Sequence, residues 1–192
     1  MHRLVTIVAA LTLIIFVAGC ASTPASRFYT LSAASGPAAP SSNLSIAVGP
    51  VIVPAVVDRP QIVVNTGANQ VRLEEFNRWA SPLQNNISRV VAENLVAMLG
   101  TPRVALSNAD ADYRAAIEVQ SFQSTPGEAA MLDAVWTVRR TKDGKAETGR
   151  TTVRETVQEK SYDALAAAHS RAVARLSRDI ADAVGALDRS GQ

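Results

Sequence analysis

The sequence is short of the residues that carry most protein chemistry. One cysteine among 192 residues excludes an intramolecular disulfide and a cysteine-based zinc cluster. Only two histidines occur, His2 and His169. There is no GxGxxG, no P-loop and no GxSxG elbow, so dinucleotide binding, nucleotide hydrolysis and the α/β-hydrolase mechanism lack their scaffolds. Aromatics make up 5% of the chain, and neither sign of charge dominates: 19 Lys and Arg face 17 Asp and Glu. The net charge of +2 is too balanced for a protein that binds nucleic acid through a basic surface. A hydrophobic share of 47% argues against a disordered chain. Only one long apolar run exists, which excludes a bundle of membrane spans.

That run opens the chain. Met1-His2-Arg3 precedes an apolar stretch from Leu4 to Val17, fourteen residues long and interrupted only by Thr6 and Thr12. It is shorter than the ~20 residues of a spanning helix and fits a secretory signal. Val17-Ala18-Gly19-Cys20 follows and resembles a bacterial lipobox. Small side chains at Ala18 and Gly19 suit the peptidase, and the sulfur of Cys20 accepts the diacylglycerol. The sole cysteine is therefore expected to be lipidated, with 1–19 removed as a signal peptide. Two or more acyl chains anchor a protein firmly, whereas one does so only marginally. Ala21 stands where an aspartate would signal retention at the inner membrane, so the outer membrane is expected.

Residues 20–43 read as lipidated cysteine, tether and linker. Arg27-Phe28-Tyr29-Thr30-Leu31 is β-prone enough for a short strand, and 32–43 (SAASGPAAPSSN) is low in complexity, a flexible linker or a long loop. A single α+β domain is expected over 44–189. Leu44 to Val53 predicts a strand with a bend or bulge at Gly49-Pro50. Gln61–Asn65 and Gln70–Glu74 predict a hairpin. Ser81-Pro82 predicts a helix start with Ser81 as N-cap, and Leu83, Ile87, Val90, Val91, Leu95, Met98 and Leu99 form its apolar face. Alternating residues from Tyr113, from Leu132 and from Lys145 to Gln158 predict an antiparallel meander whose last strand has one wet face. Ser161 caps a final helix with the stripe Leu165, His169, Ala172, Val173, Leu176, Ile180, Val184 and Leu187. The expected fold is an α+β two-layer sandwich, a mainly antiparallel sheet with two helices on one face.

Catalytic and metal chemistry find little support. His169 lies on an apolar stripe, where a half-buried core histidine is the plainer reading. Glu74-Glu75 and Asp110/Asp112 stand at element edges, where solvated charge is the default. Arg139, Arg140 and Lys142 read as the charged end of a hairpin. No metal and no cofactor is expected. Two stretches are harder to read as scaffold: Val57-Asp58-Arg59-Pro60-Gln61-Ile62-Val63 and Glu75-Phe76-Asn77-Arg78-Trp79-Ala80-Ser81-Pro82-Leu83. Each sets arginine beside aromatic or rigid residues in what should be a connection, and Trp, Tyr and Arg are the usual anchors of interfaces. Asp58, Arg59, Pro60, Gln61, Phe76, Arg78 and Trp79 are therefore the candidate partner or oligomer interface. Phe76 and Trp79 could equally plug the end of the sheet.

Gly19-Cys20, Arg27-Phe28-Tyr29-Thr30-Leu31, Asp58-Arg59-Pro60-Gln61-Ile62, Asn77-Arg78-Trp79-Ala80-Ser81-Pro82-Leu83 and Asp112-Tyr113-Arg114, in that order, resemble the PqiC family. These are auxiliary lipoproteins of ABC-type, MCE-associated transporters. The resemblance implies a lipoprotein on the periplasmic face of the outer membrane, with no enzymatic activity. It implies an MCE-domain protein as partner, whose tube carries lipids or other hydrophobic molecules, docked by a ring-like homo-oligomer. A periplasmic lipid-binding chaperone carrying the cargo itself is the alternative. A hydrolase would have to depend on His169.

Overall fold

The computed structural model describes residues 24–108 and 110–191. The signal peptide 1–19 and Cys20 lie outside the described residues. Among the described residues eight strands and two helices follow one another: β1 (Arg27–Tyr29), β2 (Ile46–Ile52), β3 (Gln61–Gly67), β4 (Gln70–Trp79), α1 (Leu83–Leu99), β5 (Val104–Ala105), β6 (Tyr113–Thr125), β7 (Ala129–Arg140), β8 (Ala146–Thr156) and α2 (Tyr162–Arg189). The fold is α+β, as expected, but the strands divide between two sheets. A large sheet has the order β5-β2-β6-β7-β8 and a small one the order β1-β4-β3. Antiparallel pairing prevails in β6-β7-β8 and in the β3-β4 hairpin. β2 is parallel to both β5 and β6, and β1 is parallel to β4.

Local chemistry explains most of the elements. The register of β2 against β6 slips between Val48 and Val51, at Gly49-Pro50, where proline has no amide to give to the ladder. Gly100 ends α1 in the left-handed region (φ 61°), its amide bonded to the Val96 carbonyl. Ser161 caps α2, its side chain accepting from the Ala164 amide. The start of α1 differs from expectation. Pro82, not Ser81, is the N-cap, with φ −48° and ψ 135°, and no side chain caps this end. The extended conformation that proline allows removes Ser81 from capping position; the Pro82 carbonyl accepts the first helical bonds, from Asn85 and Asn86.

α2 packs on β6, β7 and β8, and α1 packs on β2 and against α2. The apolar stripe expected for α2 is buried throughout, His169 included. Small residues bury the flanks: Ala168, Ser170, Ala172, Ser177 and Ala183 let the helix approach its neighbours closely. Arg140, from the cluster expected at a hairpin end, points inward. It is buried, pairs with Asp143, and donates to the Leu187 carbonyl, closing the C-terminal turn of α2.

Residues 27–31 join the structure: β1 pairs with Asn77, Arg78 and Trp79 of β4. The stretch 32–43 is laid as a strap along α1 rather than hanging as a free linker. Asn94 accepts from the Ala34 amide, the Ala97 carbonyl from the Ala39 amide, and the Gly100 carbonyl from the Ser42 amide. Its backbone, not its side chains, makes these bonds, so nothing in the Ala/Ser/Pro composition betrays them.

Candidate functional site

Two of the sequence blocks meet at the end of the small sheet. Between β2 and β3 the chain turns on the Pro54 carbonyl, which accepts from the Val57 and Asp58 amides at 3.0 and 3.1 Å. The next residues then run alongside the end of β4. The Trp79 amide donates to the Pro60 carbonyl at 2.7 Å, and the Ala80 amide to the Tyr29 carbonyl at 2.8 Å. Trp79 is thereby clamped between the end of β1 and the Asp58-Arg59-Pro60 loop. The result is a cleft of about 300 Å³ lined by Asp58, Arg59, Pro60, Trp79, Ala80, Ser81 and Pro82. Its lining is mostly rigid and apolar, with one carboxylate, Asp58, and one guanidinium, Arg59. The Arg59 Nε is buried there without a hydrogen-bond partner, an expensive condition for a guanidinium nitrogen.

The expected stretch 75–83 is thus no simple connection. β4 continues to Trp79, because a register slip between Glu74 and Arg78 takes up three residues against Gln61-Ile62 of β3. That slip breaks the alternation by which a strand is read. It also separates the seven candidate residues. Asp58, Arg59, Pro60 and Trp79 line the cleft. Gln61, Phe76 and Arg78 lie on or beside the open face of the small sheet. Gln61 is the register partner of Arg78, and its amide donates to Glu75 at 3.4 Å. Arg78 donates to the Glu75 carbonyl at 2.7 Å. Phe76 is 38% exposed and plugs nothing; Trp79 does fill the core end.

Beneath Trp79 lies the one histidine of the described residues. His169 stacks on Phe122, with centroids 3.8 Å apart, and meets the edge of Trp79 at 6.4 Å. Ser124 is 2.8 Å from its Nε2. This serine was not expected from the sequence. β6 carries a bulge at the Val119–Ser121 register shift, which turns Phe122 and Ser124 to the same side as Val119. A broken alternation after Gln120 is the only signal. Burial pushes the imidazole down to about 3, so it is neutral at physiological pH. The pair is no catalytic dyad in form. Ser124 and His169 are both buried, and no group orients Nδ1.

Each acidic pair has a member held by structural partners. Asp112 accepts from the Ser45 amide at 2.9 Å and the Ser45 hydroxyl at 2.6 Å, which hold its carboxyl below its usual range. Glu74 pairs with Arg72 at 2.7 Å. Beside them Tyr162 is pushed up to about 12, by burial first and then by its hydrogen bond to Glu74. This cluster ties the small sheet to the first turn of α2. Among the described residues no group of three or more His, Cys, Asp or Glu could hold a metal ion, and no helix is long and apolar enough to cross a membrane.

The family model for the ABC-type transport auxiliary lipoprotein component matches residues 29–181. No curated protein matches the chain. Among solved structures, the crystal structure of an uncharacterized protein superposes with a TM-score of 0.71 at 21% identity, covering 84% of this chain and 99% of the other. A Xanthomonas campestris protein of the family DUF330 gives a TM-score of 0.70 at 19% identity, covering 86% of this chain and all of its own. A PelC dodecamer from Paraburkholderia phytofirmans gives 0.42 at 14% identity, covering 80% and 97%. At these identities the first two show a shared fold.

Proposed function

Because the chain belongs to the ABC-type transport auxiliary lipoprotein components, we propose that it is the outer-membrane lipoprotein of an MCE-type intermembrane lipid transport system. It is held by acylated Cys20 on the periplasmic face and docks the MCE tube to that membrane as a homo-oligomer. The cleft carries this reading. Two blocks some twenty residues apart, which together support the likeness to PqiC, converge on one small apolar cleft with an arginine nitrogen left unpaired. Its volume suits a few side chains of a protein partner. Proline and tryptophan walls offer area at little cost in conformational entropy, and the Arg59 guanidinium offers a donor to a carbonyl or carboxylate.

The cargo-carrying alternative would need an enclosed apolar cavity of several hundred Å³. The trough of about 770 Å³ over α2 is instead walled by Arg154, Arg171, Arg175 and Arg178. The test is a pull-down from detergent-solubilised envelopes with full-length protein tagged at Gln192. Recovery of an MCE-domain protein, reduced by Arg59→Ala, is the expected result. Recovery of lipids alone, with no transporter component, would replace docking by the cargo reading.

A further inference from the structure

Register places Phe28, Val71, Leu73 and Arg78 on the open face of the small sheet, and Phe76, two residues before Arg78 beyond the slip, shares it. Phe28 stands beside Arg78, Arg78 opposite Gln61, Leu73 opposite Val63 and Val71 opposite Asn65. Phe28 is 63% exposed, Val71 48%, and Leu73 and Phe76 38% each. The whole chain has four phenylalanines, and two of them stand in water on this face. Scattered single apolar residues need no explanation, but a cluster across two adjacent strands, β1 and β4, marks a contact.

Chain length and charge say what makes that contact. Phe28 is eight residues beyond Cys20, so it cannot lie more than about 28 Å from the anchoring sulfur even with the chain fully extended. The rim is cationic. Arg27 is exposed and has no ion pair among the described residues, and Arg78, whose Nε holds the Glu75 carbonyl at 2.7 Å, comes only within 3.8 Å of the Glu75 carboxylate. Aromatic rings beside guanidinium groups suit the boundary between acyl chains and phosphates, where the ring is buried and the charge stays hydrated. We propose that the open face of the small sheet, Phe28, Val71, Leu73 and Phe76 with Arg27 and Arg78 at its rim, rests in the headgroup layer of the membrane that holds Cys20. This rests on the anchor reading above and adds an orientation to it. A tether alone lets the domain swing; a seated face fixes which way the docking cleft points.

The test uses full-length acylated protein reconstituted into phosphatidylethanolamine–phosphatidylglycerol vesicles, with or without brominated acyl chains. Single reporters are placed by Phe28→Trp and Phe76→Trp on the small sheet and by Thr137→Trp on the open face of the large sheet. Trp79 and Trp136 are buried and supply the background. Brominated lipid is expected to quench both small-sheet reporters strongly and the large-sheet reporter little. Phe28→Ser combined with Leu73→Ser should then reduce quenching at residue 76 while flotation with the vesicles persists. If the protein floats but the small-sheet reporters behave like the large-sheet one, the anchor stands and the seated face is overturned, as it would be with a second copy or a protein partner covering the face. If wild-type protein does not float with vesicles, the anchor reading fails and the face contact with it.

Discussion

On the large sheet, the face away from the helices sets Arg150 and Thr152 of β8 around Asp133 of β7, with bonds of 2.7 and 3.1 Å. Arg154 reaches Glu128 at 2.7 Å, and Thr137 meets Thr148 at 3.0 Å. On the small sheet the corresponding face sets Phe28 beside Arg78 and leaves Val71, Leu73 and Phe76 uncovered. Both faces meet solvent in the isolated chain. One is finished laterally, its β7 and β8 side chains answering one another or the adjoining turn, in the way an antiparallel sheet tolerates water. On the other, Val63 is covered within the chain, but Phe28, Val71, Leu73 and Phe76 are exposed and can be satisfied only from outside. An exposed β-sheet face is therefore read by whether its side chains answer one another, not by exposure alone.

The largest effect should come from crossing the large sheet by one residue. Gly149 and Arg150 are adjacent on β8 but lie on opposite faces. Trp136 lies directly over Gly149, so that a β-carbon added there would fall 2.2 Å from its ring. Gly149→Val should displace Trp136, break its indole bond to Thr151 (3.0 Å), and cost about 3 kcal/mol by overpacking. In a domain of this size that lowers Tm by roughly 6–12 °C. Arg150→Val, one residue away on the finished face, should cost under about 1 kcal/mol, since exposed ion pairs contribute little. Equal losses in thermal unfolding would show that the two faces are not distinct.

A second effect separates the sheets by pH. His169, under Trp79 at the small-sheet end, is held neutral, with its folded value depressed by burial to about 3. An unfolded chain takes up a proton near pH 6.5 and the native chain does not, so native stability is complete above about pH 6.5 and falls as pH drops toward 3. By pH 5 the loss should be about 2 kcal/mol from this group. Chemical denaturation at pH 7.5 and 5 reads it directly. His169→Phe should remove most of the difference while Asp133→Asn should not, because Asp133 is held below its usual range mainly by Arg150 on the exposed face.

How far this was legible in the sequence differs by element. The stripe of α2, its Ser161 cap, the β3-β4 hairpin and the irregularity at Gly49-Pro50 follow from residues close in sequence. Parallel pairing of β1 with β4 and of β2 with β6 does not, because no turn joins such strands and only distant packing selects them. Irregular registers hid the rest. The slip before Arg78 disguised the end of β4 as a connection, and the bulge near Gln120 hid Ser124 from view. Asn86 and Asn94 are buried on α1, where polar residues read as solvent-facing, because they bind Thr30 and the strap. For the candidate interface, the residue types were legible and their division was not. Trp79 is a core residue with one edge in the cleft, so Trp79→Ala would unfold the sheet end and report little on docking. Arg59 carries that test.

The smallest effect on stability should be the most informative about contact. Phe28→Ser and Leu73→Ser remove exposed apolar area from the small sheet and leave its buried side, Tyr29, Ile62, Val64 and Trp79, untouched. Removing groups that water already reaches forfeits little transfer free energy, so each change should fall within about 0.5 kcal/mol of neutral. Substituting Val135 by Ser on the large sheet is the matched control. If the small-sheet changes prove as costly as a core truncation, about 2 kcal/mol or more, the face is packed within the isolated domain and is not an open surface. If they are neutral in the isolated chain but lower the thermal stability of the membrane-bound protein, the face becomes buried only in its working state. Linkage requires this, because a surface covered in the bound form alone stabilises the fold only there.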